Sequence, residues 1–180
     1  MAVNVSAHQL MEPDFVDAVA DVLTRTNIPP GLLTLEITES VFINDSERAL
    51  VVLDELKQLG LMLALDDFGT GYSSLVYLDQ FPIDVIKIDR GFTAKLGRDR
   101  ASQVIVAKVI ELAHLLDMGV VSEGIETAEQ LHEVRKLGSE SSQGFYFARP
   151  LSADRLDVLT NQTVAGFDLH LPRAELSLVT

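Results

Sequence analysis

The chain has no cysteine among its 180 residues. That excludes a disulfide framework and any thiolate metal site. It also has no apolar run near the ~18 residues that a membrane-spanning helix requires. The N-terminus lacks the basic-then-apolar layout of a secretion signal. These absences lead us to expect a cytoplasmic protein without a membrane segment. Basic residues are scarce as well: 14 Lys and Arg stand against 27 Asp and Glu, a net charge of −13. Binding a nucleic-acid polymer needs clustered cations on the phosphates, so that class is not expected. A small phosphate ligand held through metal ions stays open, since carboxylate clusters that bind Mg²⁺ push charge in this direction. Acidity for solubility alone explains the charge equally well.

What is present is a regular alternation of short apolar strands and longer helical patterns. Strands are predicted over 2–5, 33–37, 61–65, 84–88, 119–122 and 143–147. Helices are predicted over 13–25, 46–58, 74–79, 100–116, 127–137 and 153–159. The second of these carries Ala49, Leu50, Leu53 and Leu56 at helical spacing. Thr127 with Gln130 reads as a capping box, and Gly60 and Gly138 read as helix stops. Alternating βα units imply a parallel sheet, and nearly continuous apolar strands imply burial on both faces. The expected division is one domain over 1–160 and a patternless tail over 161–180.

The most informative stretch is Leu65-Asp66-Asp67-Phe68-Gly69-Thr70-Gly71, where an apolar strand runs into two adjacent carboxylates. Two charges at the end of a buried strand are costly unless a cation lies on them. Polar residues recur at the same end of the other strands: Asn4, Glu36 with Glu39, Lys87 with Asp89, Glu123 with Glu126, and Gln143. In a (β/α) barrel all strand C-termini open on one face, where active sites are assembled. Oxygen donors converging there suit hard divalent cations. A pair of such ions would activate water and stabilise a phosphoryl transition state. Singly, each residue has a plainer reading. Asn4 fits a turn or cap, Glu36 an exposed edge strand, Lys87 an outward-facing strand residue, and Glu123-Gly124 a simple turn. His8, His114, His132 and His170 lack metal-ligand spacing, and Ser73-Ser74 reads as a helix start.

These residues lie in segments that closely resemble one family. They are Asn4-Val5-Ser6-Ala7-His8-Gln9-Leu10, Leu35-Glu36-Ile37-Thr38-Glu39-Ser40, the stretch from Asp66 to Ser74, Ile86-Lys87-Ile88-Asp89, Glu123-Gly124-Ile125-Glu126-Thr127 and Gln143-Gly144-Phe145. In order and spacing they resemble the EAL domain, the bacterial phosphodiesterase that linearises cyclic di-GMP to 5′-pGpG. The resemblance implies a TIM-like (β/α)8 barrel and a two-metal site for Mg²⁺ or Mn²⁺. It implies that Asn4, Glu36, Asp66 and Asp67 are metal ligands, and that Lys87 and Glu123 position or activate the water. By the same likeness Glu39 steadies the loop from Phe68 to Ser74, which is linked to substrate-dependent activity and dimer contact. Asp89, Glu126 and Gln143 fall with Glu39 among the substrate- or loop-positioning residues. The partners implied are cyclic di-GMP and a second copy or another signalling domain.

The chain also departs from the family pattern. It has no Glu-Ala-Leu tripeptide, whose Glu is a metal ligand in the family, and Ser139-Glu140 stands where Cys-Asp is usual. A full barrel of this kind takes about 250 residues. The expectation is therefore an α/β fold with about six of eight βα units, truncated at its N-terminal side and needing completion. Little or no hydrolysis is expected from the chain alone. The alternative expectation is an inactive module that binds cyclic di-GMP or a protein partner.

Overall fold

The computed structural model describes residues 1–69 and 78–155. Six strands form one sheet: β1 (Ala2–Val5), β2 (Thr34–Thr38), β3 (Met62–Phe68), β4 (Val85–Ile88), β5 (Gly119–Ser122) and β6 (Ser141–Ser142). They lie in chain order, and every neighbouring pair is parallel. Helices carry the chain back between them: α1 (Ala7–Leu10), α2 (Phe15–Thr26), α3 (Val41–Asn44), α4 (Ser46–Gln58), α5 (Arg90–Thr93), α6 (Arg100–Leu115) and α7 (Ala128–Leu137). This is the expected incomplete (β/α) barrel. Among the described residues, β1 and β6 end the strand order without pairing to each other.

Helix boundaries follow local chemistry. Asp45 caps α4 by accepting from the Arg48 amide, with Glu47 in the first turn and Lys57 in the last, matching the helix dipole. Asp99 caps α6 through the Ala101 and Ser102 amides. The Thr127–Gln130 capping box opens α7, and Gly138 closes it at φ 101°, a left-handed conformation that glycine adopts without a Cβ penalty. The apolar stripes face the sheet: Ala49, Leu53 and Leu56 from α4, and Val106, Ile110 and Ala113 from α6, are buried. They meet Leu35, Ile37, Leu63, Leu65, Ile86, Ile88 and Val120 from the strands.

Alternation along each strand sends the intervening residues to the other face. Thr34, Glu36, Met62, Ala64, Val85 and Lys87 line a trough there of about 350 Å³. At the N-terminal end of the strands, Lys57 Nζ lies 2.7 Å from each carboxylate oxygen of Asp84. Asp84 in turn accepts from the Leu63 amide at 2.8 Å, fixing α4 to the start of the sheet.

The structure corrects several boundaries. Strand β3 spans seven residues to Phe68, so Asp66 and Asp67 lie within it rather than beyond it. Its pairing with β4 shifts register between Leu65 and Phe68, which is how the strand continues past two carboxylates. Strand β6 is Ser141–Ser142, and Gln143 follows it instead of opening it; just before the strand, the Ser139 hydroxyl accepts from Ser122 Oγ at 2.8 Å and donates to the Ser141 carbonyl at 2.9 Å. Helix α2 starts at Phe15 with Asp14 as its cap position, leaving Pro13 in the preceding turn. Helices α1 and α5 were too short for periodicity to reveal. The predicted helix over 74–79 falls largely, and that over 153–159 partly, outside the described residues, as does the tail over 161–180.

Leu53 is fully buried between α4 and the sheet. Leu53→Ala should lower unfolding free energy by about 2–5 kcal/mol in a urea melt. A loss under about 1 kcal/mol would mean that α4 does not pack as described.

Candidate functional site

The site is organised around one buried cation. Lys87, on the short strand β4, is only 4% exposed. Its Nζ lies 2.7 Å from Glu36 Oε2 on β2, 3.0 Å from Asp66 Oδ1 on β3 and 2.7 Å from Glu123 Oε1 just past β5. Three strands thus deliver carboxylates to a fourth strand's ammonium. The parallel register accounts for this: Thr38 pairs with Asp66, and Ile86 pairs with Leu65, which brings Lys87 level with Asp66.

Asp67 adds a further carboxylate, on a left-handed backbone at φ 54° that Asp tolerates better than most residues. Ligand oxygens of Asp66, Asp67 and Glu123 all lie within 4.8 Å of one another. Four carboxylates around one ammonium leave an excess of negative charge. Burial, and then repulsion from Asp66 and Asp89, push the Asp67 carboxyl above its ordinary value despite the opposing pull of Lys87. Burial likewise raises Glu123, and the hydrogen bond from Lys87 offsets this only in part. For Lys87, burial works against the charge, but hydrogen bonds to Glu123, Glu36 and Asp66 outweigh it and hold the ammonium protonated. Converging oxygen donors with surplus negative charge fit a hard divalent cation, and no sulfur or imidazole donor is among them.

The other sequence-derived candidates take more varied places. Asn4 is exposed on β1 and pairs in register with Glu36, one strand away from the charged group. Glu39 is buried, and its Oε1 accepts from the Gly69 amide at 2.8 Å, joining the end of β2 to the end of β3. Its other oxygen is buried without a hydrogen-bond partner among the described residues. Residues 70–77, which include the rest of the stretch from Phe68 to Ser74, lie outside the described residues. Asp89 caps α5 by accepting from the Gly91 amide, and it also acts electrostatically on Asp67. Glu126 and Gln143 are exposed, and both border a hollow with Arg90, Gly124 and Phe145 beside Glu123. Sequence reasoning missed Thr93, whose buried hydroxyl touches the Glu123 backbone, because a single Thr in an unrecognised four-residue helix carries no pattern.

Comparison with known proteins places this geometry. The model of the EAL domain family matches residues 1–150. The chain is 42% identical over 156 residues to the bifunctional diguanylate cyclase/cyclic di-GMP phosphodiesterase MucR of Pseudomonas aeruginosa, covering 87% of this chain and 23% of that protein. It spans roughly a quarter or less of the first curated relatives it matches. Among solved structures, the PaMucR phosphodiesterase in complex with c-di-GMP is similar with a TM-score of 0.82 at 42% identity, over 86% of this chain and 63% of that one. The manganese and cyclic di-GMP complex of Klebsiella pneumoniae BlrP1 is similar with a TM-score of 0.78 at 35% identity, over 83% and 38%.

Two outcomes follow from the electrostatics. Lys87→Met leaves three carboxylates facing one another without their counter-charge, and should cost about 3–5 kcal/mol in a denaturant melt run in chelator. Asp67→Asn should raise the melting temperature of the metal-free chain at neutral pH. A carboxylate whose folded pKa exceeds its unfolded value contributes stability that is full at low pH and lost as pH rises through the folded pKa. The Asn advantage should therefore shrink as pH falls through the carboxylate range, which thermal melts at stepped pH will check.

Proposed function

The chain belongs to the EAL domain family, and on that premise we propose that its strand-end carboxylates form the site of a cyclic di-GMP phosphodiesterase. The observation that carries this reading is the convergence of Asp66, Asp67 and Glu123 within 4.8 Å beside the Lys87 ammonium. Asp66 and Asp67 would hold the divalent ions, with Glu36 and Asn4 as further oxygen donors on the adjoining strands. Bound Mg²⁺ or Mn²⁺ would supply Lewis-acid charge and lower the pKa of water.

The roles of the chain's own groups follow from their charge states. Lys87, kept as an ammonium by three carboxylates, has no free pair to accept a proton. It can hold Glu36, Asp66 and Glu123 in place and attract a non-bridging phosphate oxygen. Glu123, raised by burial, is the better proton acceptor for the attacking water. Attack at phosphorus forms one P–O bond and breaks the bond to the ribose 3′ oxygen, which leaves as the alcohol with a proton. The product is the linear 5′-pGpG. Glu39 would hold the end of β3 through Gly69.

A second reading rests on a different observation. The sequence contains no Glu-Ala-Leu tripeptide, so one glutamate ligand of the family pattern is absent from this chain. That favours a module that binds cyclic di-GMP without turning it over, acting through a second copy or another signalling domain.

The deciding experiment incubates the 180-residue chain with cyclic di-GMP and Mn²⁺, follows 5′-pGpG by chromatography and measures binding by calorimetry. Slow turnover is expected, and Asp66→Ala should lower it by more than the roughly 100-fold seen when only a supporting neighbour of a ligand is removed. Binding with no product would select the second reading. Neither binding nor turnover would overturn both.

A further inference from the structure

We infer that Thr93 is the positioning residue that sets where the Glu123 carboxylate stands in the site. This rests on the reading of the strand-end carboxylates as a divalent-cation site, and it concerns a residue outside the charged group itself.

Glu123 lies just past the end of β5, so the sheet holds it weakly. Its amide donates to the Ile88 carbonyl at 3.0 Å, and the ladder goes no further in register. The next residue, Gly124, has φ 65°, and a Cβ there would collide with Arg90 Cβ. The turn at Glu123-Gly124 is therefore pressed against α5, with no side chain between the two backbones.

In that contact Thr93 is fully buried, and its hydroxyl donates to the Glu123 carbonyl at 2.5 Å. The same hydroxyl lies 3.2 Å from the Arg90 carbonyl. One hydroxyl carries one proton, and the shorter contact takes it. Helix α5 is itself anchored, because Asp89 caps it directly after β4, the strand that carries Lys87. A continuous path thus runs from Lys87 through Asp89 and α5 to Thr93 and the Glu123 backbone. The Glu123 side chain closes the circuit on Lys87 Nζ at 2.7 Å. A valine at 93 would keep the shape, remove the donor and leave the Glu123 carbonyl without this partner. The turn would then be free to move its carboxylate away from Asp66 and Asp67.

The test uses the full 180-residue chain and four proteins: the parent, Thr93→Val, Thr93→Ser and Lys57→Met. The last breaks the ion pair to Asp84 at the opposite end of the strands and controls for lost stability alone. Mn²⁺ titration by calorimetry should show Thr93→Val binding about 10-fold more weakly, because one of the three converging carboxylates would leave the cation's surroundings, with Thr93→Ser restoring near-parental affinity and Lys57→Met leaving it unchanged. Parental Mn²⁺ affinity in Thr93→Val would overturn the inference, as would an equal loss in Lys57→Met.

A metal-independent readout separates this inference from the cation-site reading. The Ile125 amide, bonded to the Gln143 carbonyl immediately after the turn, is followed by hydrogen exchange in chelator. Thr93→Val should exchange faster there than Lys57→Met at matched overall stability. If the parent chain binds no Mn²⁺, the cation-site reading fails on its own. Unchanged Ile125 exchange in Thr93→Val would then still overturn the role of Thr93.

Discussion

The ammonium of Lys87 is the constraint on which the rest of the site depends. It is buried in mid-sheet, where an unpaired charge would be untenable, and it is kept charged by Glu36, Asp66 and Glu123. The dependence is mutual. Three carboxylates drawn together without it would repel one another. One lysine therefore ties four strands at one level. It still leaves the group with surplus negative charge, visible in the raised carboxyls of Asp67 and Glu123. The ammonium thus offsets part of the carboxylates' repulsion and leaves a negative surplus that a further cation would balance.

The scaffold places these groups by simple means. Parallel pairing in chain order sends every strand's C-terminal end to one face, and alternation puts Leu63, Leu65, Ile86 and Ile88 toward the helices while Glu36, Asp66 and Lys87 take the other side. The two ends of the sheet divide the labour. Lys57 and Asp84 fasten α4 and the strand starts with a half-buried pair that contains one of each charge. The opposite end holds the unbalanced set. This separation of a stabilising end from a reactive end is the general pattern of (β/α) barrels. The same ordering leaves β1 and β6 as edges among the described residues, and exposed edges of a parallel sheet are unusual in a closed fold.

Much of this could be read from the residues in order. Apolar strands alternating with capped helices specify parallel βα units, and the Thr127–Gln130 box and the stop at Gly138 act where local chemistry alone puts them. The recurrence of carboxylates after successive strands pointed to one face. The boundaries that failed did so because nonlocal contacts decided them. Residues Asp66 and Asp67 read as a loop, yet pairing with β4 across a register shift carries β3 through both. The residues 143–147 read as an apolar strand, but pairing with β5 selects Ser141–Ser142, next to Ser139, whose hydroxyl is bonded to the buried Ser122.

The sequence by itself determined which groups the chain brings to its strand ends, since strand period and helix spacing are local and follow from residue type. Residue type also sets the excess of acid over base, a net charge of −13. Packing between distant segments sets which carboxylates share Lys87, that Asn4 stands a strand apart and exposed, that Asp89 and Glu39 bond to backbone amides, and that the Thr93 hydroxyl bonds to the Glu123 carbonyl. Those relations depend on register between strands distant in the chain and on the burial that turns a charge into a constraint. Neither is a property of any residue until the sheet has formed.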